Sequence, residues 1–325
     1  MIGKADCKEL EFALKECVKR NQCDGMLLSG GLDSSILASI LRPTRSFTVA
    51  WDNRAPDLPY ARIIAHKYSK AHSELILNNE NNIVDIVREV IQSLKTFSPI
   101  EIRNSSVVFA GIISAKKQGC MALMTGDGGD ELFAGYNYLR RYFMDVSKLD
   151  VELRRLWDIM HFSSTSLAKT LQIEIKTPFL DDEFLNYAKS IPTEKKIGMF
   201  SGKLWGKFIL RKCFVEELGN QIAWRPKLAQ EEGAATVNLK HFLEDQYTDI
   251  DFRFRSAQAL KEGVIVNDKE HLYYYDVFRR YFCPPYEEPC SEARCPRCSG
   301  CVTFKTNFCR TCGAFPIGQS YLIKS

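Results

Sequence analysis

The sequence Leu28-Ser29-Gly30-Gly31-Leu32-Asp33-Ser34-Ser35 lies between a short apolar run, Gly25–Leu28, and a helical pattern, Asp33–Leu41. Adjacent glycines allow a sharp turn and a close approach of the backbone to a ligand. The N–H groups that open the next helix point at an anion, and three serines add hydroxyl donors. The stretch therefore predicts a phosphate-binding loop. A simple helix N-cap is the structural alternative, and the full eight-residue string favours the loop.

Asp33 is an unusual residue beside a bound phosphate, because its carboxylate repels the anion unless a cation joins them. Carboxylate oxygens bind Mg²⁺, commonly together with substrate phosphates. We therefore predict that Asp33 is a Mg²⁺ ligand. No Gly-Lys-Ser/Thr follows the glycines, so the loop differs from the lysine-bearing phosphate loop of common NTPases.

Strand-like and helical patterns alternate through the first 145 residues. Strands are predicted at Gly25–Leu28, Ser46–Trp51, Ser73–Leu77 and Met121–Met124, and helices at Glu9–Lys19, Asp33–Leu41, Pro59–Tyr68, Ile83–Leu94 and Ser105–Lys117. This alternation predicts an α/β fold with a parallel twisted sheet and helices on both faces. We expect an α/β core at 1–145, a helical part at 146–284 and a small metal-binding ribbon at 285–325. Within the helical part, loops are expected at Ile175–Pro178, Ile197–Gly202 and Lys227–Ala235.

Composition excludes several classes of protein. The chain has 325 residues, of which 45% are hydrophobic and 26% charged, as in ordinary globular proteins and unlike disordered or collagen-like chains. No run approaches the roughly 18 apolar residues of a membrane span, and the polar start, Met1–Asp6, predicts no secretory signal. We therefore expect a reducing, cytoplasmic location and no membrane partner. A net charge of +4 is too small to indicate nucleic-acid binding by itself.

A second glycine-rich string, Thr125-Gly126-Asp127-Gly128-Gly129-Asp130-Glu131, follows the last predicted strand. Parallel strands place their carboxyl ends at one sheet edge, so the string is expected beside the phosphate loop. Its three carboxylates repel one another unless a cation or a protonated group joins them. A solvated acidic turn is the alternative, which the pairing with the first loop disfavours.

These strings resemble a known family. Ser29–Ser34 is similar to the pyrophosphate loop of the N-type ATP pyrophosphatases, which have an adenine nucleotide alpha-hydrolase-like fold and cleave ATP between its α and β phosphates. The acidic string, continued to Tyr136, resembles the second signature of the asparagine synthetase branch. Further similar segments extend over roughly residues 20–240: Ile102–Ser105, Thr177–Asp181, Gly202–Arg211, Trp224–Lys227 and Gly233.

The resemblance implies ATP and Mg²⁺ as cofactors and assigns roles by position. Asp33 and Asp130 would hold Mg²⁺, and Asp127 stands where many family members carry a glutamate important for adenylation. The resemblance also puts the catalytic lysine, Lys207, on a helix and Lys227 on a loop that closes over phosphates, where fixed cations stabilise developing negative charge. Nucleotide contacts are implied for the phosphate loop, for Thr125 and Gly126, and for the backbone of Leu28 and Val49.

The twelve cysteines divide into five scattered ones and seven near the C-terminus. Cys295, Cys298, Cys309 and Cys312 form two Cys-x-x-Cys pairs, a spacing that predicts a zinc ribbon. An iron–sulfur cluster is the alternative, and Cys283, Cys290 and Cys301 are its further candidate ligands. In a reducing compartment, clustered cysteines hold a metal more often than they form disulfides.

The predicted function is that of an ATP-dependent carbon–nitrogen ligase. By resemblance it would adenylate a small carboxylate, such as aspartate, release pyrophosphate and form an amide with ammonia or an amine. Ile2 stands where glutamine-using members carry a nucleophilic cysteine, so we expect nitrogen from free ammonia, an amine, or a separate glutaminase or carrier protein. One alternative is a tRNA-modifying enzyme whose ribbon binds RNA through four basic residues, Arg294, Arg297, Lys305 and Arg310. Another makes the ribbon a docking module for a carrier or glutaminase.

The nitrogen source is the first testable prediction. Because the sequence offers no glutaminase nucleophile at position 2, glutamine should not support amide formation by this chain, whereas ammonium at high pH should. Amide formation from each donor can be measured by mass spectrometry. Efficient glutamine use by the purified chain would contradict the prediction.

Overall fold

The computed structural model describes residues 2–79, 83–303 and 306–317. Its helices and strands follow in chain order: α1 (Lys4–Arg20), β1 (Gly25–Leu27), α2 (Leu32–Leu41), β2 (Arg45–Ala50), α3 (Leu58–Tyr68), β3 (Ala71–Ile76), α4 (Ile83–Leu94), α5 (Pro99–Lys117), β4 (Ala122–Met124), α6 (Gly129–Leu132), α7 (Val146–Ile159), α8 (Ser163–Thr170), β5 (Glu174–Lys176), α9 (Asp182–Ser190), β6 (Ile197–Phe200), β7 (Lys203–Gly206), α10 (Phe208–Leu218), α11 (Asn220–Ala223), α12 (Gln230–Gly233), α13 (Leu239–Glu244), α14 (Asp249–Lys261), α15 (Lys269–Phe278), β8 (Ala293–Arg294) and β9 (Cys301–Val302). None of the described helices is long and apolar enough to cross a membrane.

The central sheet has the strand order β3-β2-β1-β4-β5, and all neighbouring strands are parallel. The chain builds β1, β2 and β3 outward in one direction and then returns to place β4 on the other side of β1. The order therefore reverses between β1 and β4, and a crevice forms beyond the carboxyl ends of strands at such a point. The loops after β1 and β4 are the two glycine-rich strings, so the topology brings them together as predicted.

Helices cover both faces of the sheet, because each face buries its own apolar cluster. On one face α1, α2, α3, α9 and α10 pack around Met26 and Met124. On the other face α4, α5, α8, α13 and α15 pack around Phe47 and Leu123. The prediction of an α/β fold with a parallel sheet between helical layers is therefore confirmed. The proposed domain boundaries stay a prediction.

Four local predictions were wrong. The expected loop at Lys227–Ala235 contains the helix α12, whose four residues are too few to show a helical pattern. The expected loop at Ile175–Pro178 includes the edge strand β5, whose three residues are too few for a recognisable strand pattern. The expected loop at Ile197–Gly202 contains β6, which pairs with β7 in an antiparallel hairpin. Ser201 and Gly202 at its turn both have positive φ, +49° and +72°, as a tight hairpin turn requires. The resemblance had implied a helical position for Lys207. Lys207 instead lies between β7 and α10.

The expectation that the clustered cysteines hold a metal and do not form disulfides fails at two positions. A disulfide bond joins Cys290 to Cys301 in the C-terminal segment, and a further one joins Cys7 to Cys213, between α1 and α10. Sequence distance hides the Cys7–Cys213 pair, since its members lie 206 residues apart. Cys290 and Cys301 are thus unavailable as ligands of an iron–sulfur cluster, and Cys283 is a free, exposed thiol.

The C-terminal segment packs against the α4–α5 connection and α15. Phe97 N–H donates to the carbonyl of Thr311 at 2.8 Å, and Thr96 Oγ1 donates to the carbonyl of Arg310 at 2.7 Å. The ring of Phe97, fully buried, lies edge-on against Tyr275 and Phe278 of α15. The four cysteines of the two Cys-x-x-Cys motifs belong to the same apolar cluster as these rings. The ribbon therefore extends the core of the α/β body.

Replacement of Phe97 tests this shared core. Phe97→Ala should lower the free energy of unfolding by about 3–5 kcal/mol, because it leaves a cavity among buried rings. Phe12→Ala is the matched control: its ring is 66% exposed, so the expected change is within about 0.5 kcal/mol. Urea unfolding measures both values, and similar losses in the two variants would contradict the described packing.

Candidate active site

The phosphate loop is held in place by its own hydroxyl groups and by a close contact with α3. Ser29 Oγ accepts from Gly31 N–H at 3.2 Å, and Ser34 Oγ donates to the carbonyl of Gly31, also at 3.2 Å. Gly30 has φ +71°, and a Cβ there would meet the backbone of Tyr60 and Ala61. Only glycine therefore fits this turn, after which α2 begins at Leu32 and presents its free N–H groups to the crevice.

A cavity of about 250 Å³ lies over this loop, between it and the acidic loop. All but two of the residues predicted for catalysis, nucleotide contact or Mg²⁺ line it: Leu28, Ser29, Gly31, Asp33, Ser34, Val49, Thr125, Gly126, Asp127, Asp130, Lys207 and Lys227. The two exceptions are Gly30, which faces α3, and Ser35, which is fully buried within α2. Both support the loop from behind.

The centre of the cavity is a network of two lysines and two aspartates. Lys207 Nζ forms ion pairs with Asp33 and with Asp130, the latter at 2.7 Å. Lys227 Nζ lies 2.5 Å from the other oxygen of Asp130. The side chain of Lys207 is only 5% exposed, so these charges interact in a medium that screens them much less than water does. The network joins the phosphate loop, the acidic loop and the β7–α10 junction.

Burial and charge act in opposite directions on these groups. Burial disfavours ionised Asp130, but the ammonium groups of Lys207 and Lys227 outweigh it and hold the pKa of Asp130 below its usual range. At Asp33 burial dominates, with repulsion from Asp130, and the pKa is raised in spite of Lys207. Burial opposes the charge of Lys207, yet the two carboxylates raise its pKa. Lys207 is therefore an ammonium ion at neutral pH.

The donor set of Asp33 and Asp130 fits a divalent cation. Asp33 Oδ1 is buried and accepts no hydrogen bond from the described residues. A Cβ at Gly129 would lie within 2.7 Å of both Asp33 oxygens, so the glycine leaves space beside this carboxylate. A buried carboxylate oxygen without a hydrogen bond is stabilised when it binds a metal ion. This environment agrees with the prediction that Asp33 is a Mg²⁺ ligand.

Close backbone packing positions Lys207. Its N–H donates to the carbonyl of Phe133 at 2.8 Å, and its φ of +55° is left-handed, a conformation that non-glycine residues adopt at some energetic cost. A Cβ at Gly135 would overlap the side chains of Asp130 and Lys207, and one at Gly206 would overlap the carbonyl of Ala134. These two glycines therefore let the acidic loop and the hairpin approach closely enough for the ion pairs to form.

Asp127 is held by two hydroxyl groups. Thr125 Oγ1 and Ser164 Oγ donate to its Oδ2 at 2.9 and 2.5 Å. Burial raises the pKa of Asp127, although both hydrogen bonds favour the ionised form. Ser164 belongs to α8 and was not predicted, because no motif marks a serine 37 residues from its partner.

A second buried ion pair supports the phosphate loop. Arg225 forms an ion pair with Asp57, and its Nη1 donates to the carbonyl of Gly30 at 3.2 Å. Arg211, buried as well, donates to the carbonyls of Ala223, Arg225 and Gly206. The similarity of Trp224–Lys227 to a family segment pointed to Arg225, whereas Asp57 and Arg211 carried no recognisable signal.

The sulfur atoms of the two Cys-x-x-Cys motifs lie close together. The Sγ atoms of Cys295, Cys298, Cys309 and Cys312 all lie within 4.8 Å of one another and are buried. Two Sγ–Sγ distances are 3.7 Å, close to the roughly 3.8 Å expected for thiolates about 2.3 Å from one tetrahedral zinc ion. Backbone N–H groups of Arg297 and Gly300 point at two of the sulfurs. The group therefore fits a single tetrahedral ion.

The basic residues around this centre make internal contacts. Arg294 donates to the carbonyls of Pro285, Ser299 and Glu288. Arg297 donates to Asn267 Oδ1, and Arg310 Nη2 donates to the carbonyl of Ile159 at 2.9 Å. Lys305, the fourth basic residue of the RNA-binding alternative, lies outside the described residues. Arg297 and Arg310 therefore tie the ribbon to the rest of the chain, whereas Arg294 holds the ribbon together internally.

The fold and the cavity define an α/β protein with a parallel sheet and a carboxylate–lysine centre beside a glycine-rich loop, and comparison with known proteins identifies its family. A sequence model described as asparagine synthase matches residues 8–171 and 165–282. The chain belongs to the asparagine synthase family. The cysteine centre lies beyond the matched residues.

Individual relatives agree with this assignment. The chain is 31% identical over 296 residues to an asparagine synthetase [glutamine-hydrolyzing] of Gallus gallus, which covers 84% of this chain and 51% of the relative. The corresponding human protein is 30% identical over 297 residues. Asparagine synthetase B [glutamine-hydrolyzing] of Escherichia coli K12 is 28% identical over 313 residues, which cover 88% of this chain and 55% of the relative. The chain thus spans about half the length of these relatives. The resemblance to the asparagine synthetase branch is therefore confirmed at the level of the family.

Metal content tests the cysteine centre. The purified chain should contain one Zn²⁺, and Cys298→Ser should remove it and lower the melting temperature of the whole chain, since the ribbon shares its core with α15. Cys283→Ser is the control, because this exposed thiol is not part of the centre. Atomic absorption and thermal unfolding give the two readouts. Retention of zinc by Cys298→Ser would contradict the assignment.

Proposed function

We propose that the chain adenylates a small carboxylate, aspartate or a similar acid, with release of pyrophosphate, and that ammonia or an amine then displaces AMP to give an amide. The observation that carries this proposal is the ion-pair network of Lys207 and Lys227 with Asp33 and Asp130, which faces the phosphate loop across one cavity. Cations and carboxylates placed together at a phosphate loop suit the transfer of a highly charged group.

In this proposal the nucleotide binds along the sheet edge. The backbone of Leu28 and Val49 contacts adenine, with Thr125 and Gly126 nearby. Ser29, Gly31 and Ser34 bind phosphate oxygens through hydroxyl and N–H groups, while Gly30 and Ser35 maintain the loop. Their positions on the cavity wall or directly behind it support these roles.

Asp33 and Asp130 would hold Mg²⁺, which neutralises phosphate charge when bound. Lys207 and Lys227, which line the same cavity as the phosphate loop, are proposed to donate to phosphate oxygens. Charge moves onto the leaving pyrophosphate as the acyl adenylate forms, and Lys207, buried and fixed by its backbone, stabilises it without reorganisation.

Asp127 is proposed to interact with the acyl substrate and the attacking nitrogen. Ser164 and Thr125 fix its orientation. A carboxylate whose pKa is raised by burial is a better proton acceptor than an ordinary aspartate. Asp127 is therefore placed to take a proton from the nitrogen when it attacks the acyl carbon.

The cysteine centre is proposed to bind Zn²⁺ and to stabilise the α4–α5 connection and α15. The contacts of Arg294, Arg297 and Arg310 support this structural role. Nitrogen is proposed to come from ammonia or an amine. A separate glutaminase or carrier protein is a proposed supplier, because the relatives are glutamine-hydrolyzing enzymes. No contact of the described residues favours the tRNA alternative, which stays an untested prediction.

The products test the reaction. With ATP, Mg²⁺, aspartate and ammonium, the chain should form AMP and pyrophosphate in equal amounts, because the phosphate loop lacks the lysine typical of γ-phosphate transfer. Ion-exchange chromatography separates the nucleotides. Stoichiometric ADP and phosphate would contradict the proposed bond cleavage.

Replacement of Lys207 tests its role. Lys207→Ala should reduce kcat by about 10²–10³-fold, as for loss of a donor to developing negative charge. Lys212→Ala is the matched control, since Lys212 lies exposed on α10, the helix that follows Lys207, and should retain near-normal kcat. A near-normal rate for Lys207→Ala, with unfolding curves unchanged, would remove Lys207 from the catalytic centre.

A further inference from the structure

A second cavity, of about 370 Å³, adjoins the acidic loop. It is formed between the α/β body and the C-terminal ribbon. Glu131 and Tyr136 come from the acidic loop, Glu101 from α5 and His161 from the α7–α8 connection, whereas Phe308 and Arg310 come from the ribbon. The ribbon therefore builds part of a cavity next to the proposed catalytic centre.

Tyr136 lines this second cavity and lies near the wall of the nucleotide cavity. Asp130 lines the nucleotide cavity, and the next residue, Glu131, lines the second one. The hydroxyl of Tyr136 donates to Glu131 Oε1 at 2.5 Å, while Lys227 Nζ lies 5.6 Å from the centre of the Tyr136 ring. The two cavities thus share a wall formed by consecutive acidic residues and one tyrosine.

The inner end of the second cavity is lined by a buried carboxyl group that forms no ion pair with any residue that the structure describes. Glu131 is only 8% exposed, and among the described residues no lysine or arginine lies within ion-pairing distance of it or of Glu101. Ser93 Oγ, also on the wall, is buried without a hydrogen-bond partner in the described part of the chain. A cationic ligand would stabilise the ionised form of such a buried carboxyl group.

The outer end carries the opposite charge. Arg310 is exposed, and its hydrogen bond to the carbonyl of Ile159 fixes the guanidinium at the cavity wall. No described carboxylate lies within ion-pairing distance of it. A guanidinium with free N–H groups binds a carboxylate well. The cavity therefore presents a carboxylate inside and a guanidinium outside, with the ring of Phe308 on the wall.

We propose that this second cavity binds an amino acid, with its ammonium group towards Glu131 and its carboxylate towards Arg310. The proposal does not depend on the reaction proposed above, because Glu131 and Arg310 lie outside the nucleotide cavity.

Binding can be measured without any turnover. Titration calorimetry on the full, zinc-loaded chain would compare ω-amino acids from glycine to 5-aminopentanoate with alkylamines and alkyl carboxylates of equal length. At least one amino acid should bind ten-fold or more tightly than its matched amine, and the carboxylate should bind weakest. Equal binding by amine and amino acid, or no binding by any probe, would overturn the proposal.

Two variants separate the ends of the cavity. Arg310→Gln should reduce amino-acid binding to the level of the matched amine and leave amine binding within two-fold. Glu131→Gln keeps the size of the side chain and should weaken both ligands at least ten-fold. Arg297→Gln is the control, because Arg297 is a ribbon arginine outside this cavity. Equal effects of Arg297→Gln and Arg310→Gln would contradict a direct role for Arg310.

Discussion

The ammonium group of Lys207 between the carboxylates of Asp33 and Asp130 is the contact on which the site depends. Without a cation, two buried carboxylates from different loops would repel each other and push apart the loops that carry them. With Lys207 in place, the ends of β1 and β4 are tied to the hairpin that precedes α10. In this structure the two lysines and two aspartates neutralise one another. A metal ion at the aspartates and phosphates at the lysines, as in the proposed function, would replace these ion pairs.

Sheet topology explains why this contact forms at all. The reversal of strand order between β1 and β4 brings two glycine-rich loops to one crevice, and the glycines allow their backbones to approach. Gly129, Gly135 and Gly206 each occupy a place where a Cβ would meet Asp33, Asp130, Lys207 or a backbone carbonyl. Small residues here are therefore a condition for charge pairing, and backbone strain at Lys207 is tolerated because the surrounding packing leaves no alternative conformation.

Local patterns in the sequence predicted the sheet and most of the cavity wall, because both depend on short-range signals. Apolar runs followed by glycine loops identify β1 and β4, and the helix over Ile83–Leu94 was predicted with the bounds that the structure has. The failures share one cause. Strand β5, the Cys7–Cys213 pair and the Ser164–Asp127 hydrogen bond all depend on partners far away in sequence, and a three-residue strand or a lone serine carries no pattern of its own. The hairpin β6–β7 carries a Ser-Gly turn, but its strands have only four residues each. Its second strand also lies in Gly202–Arg211, the segment that resembles a helix of the family.

The ribbon changes how the acidic loop must be understood. A segment of about 40 residues does not bury enough surface to fold alone, and here its core is completed partly by the four clustered cysteines and partly by Phe97, Tyr275 and Phe278. An element that is docked in this way becomes a fixed wall, so Phe308 and Arg310 are held at a defined position relative to Glu131 and Tyr136. Because Glu131 follows Asp130 directly, a charge bound on one side of this loop is felt on the other side through a poorly screened path. Occupation of the second cavity by an ammonium group would therefore offset part of the negative charge of the acidic loop at the moment when phosphates occupy the first.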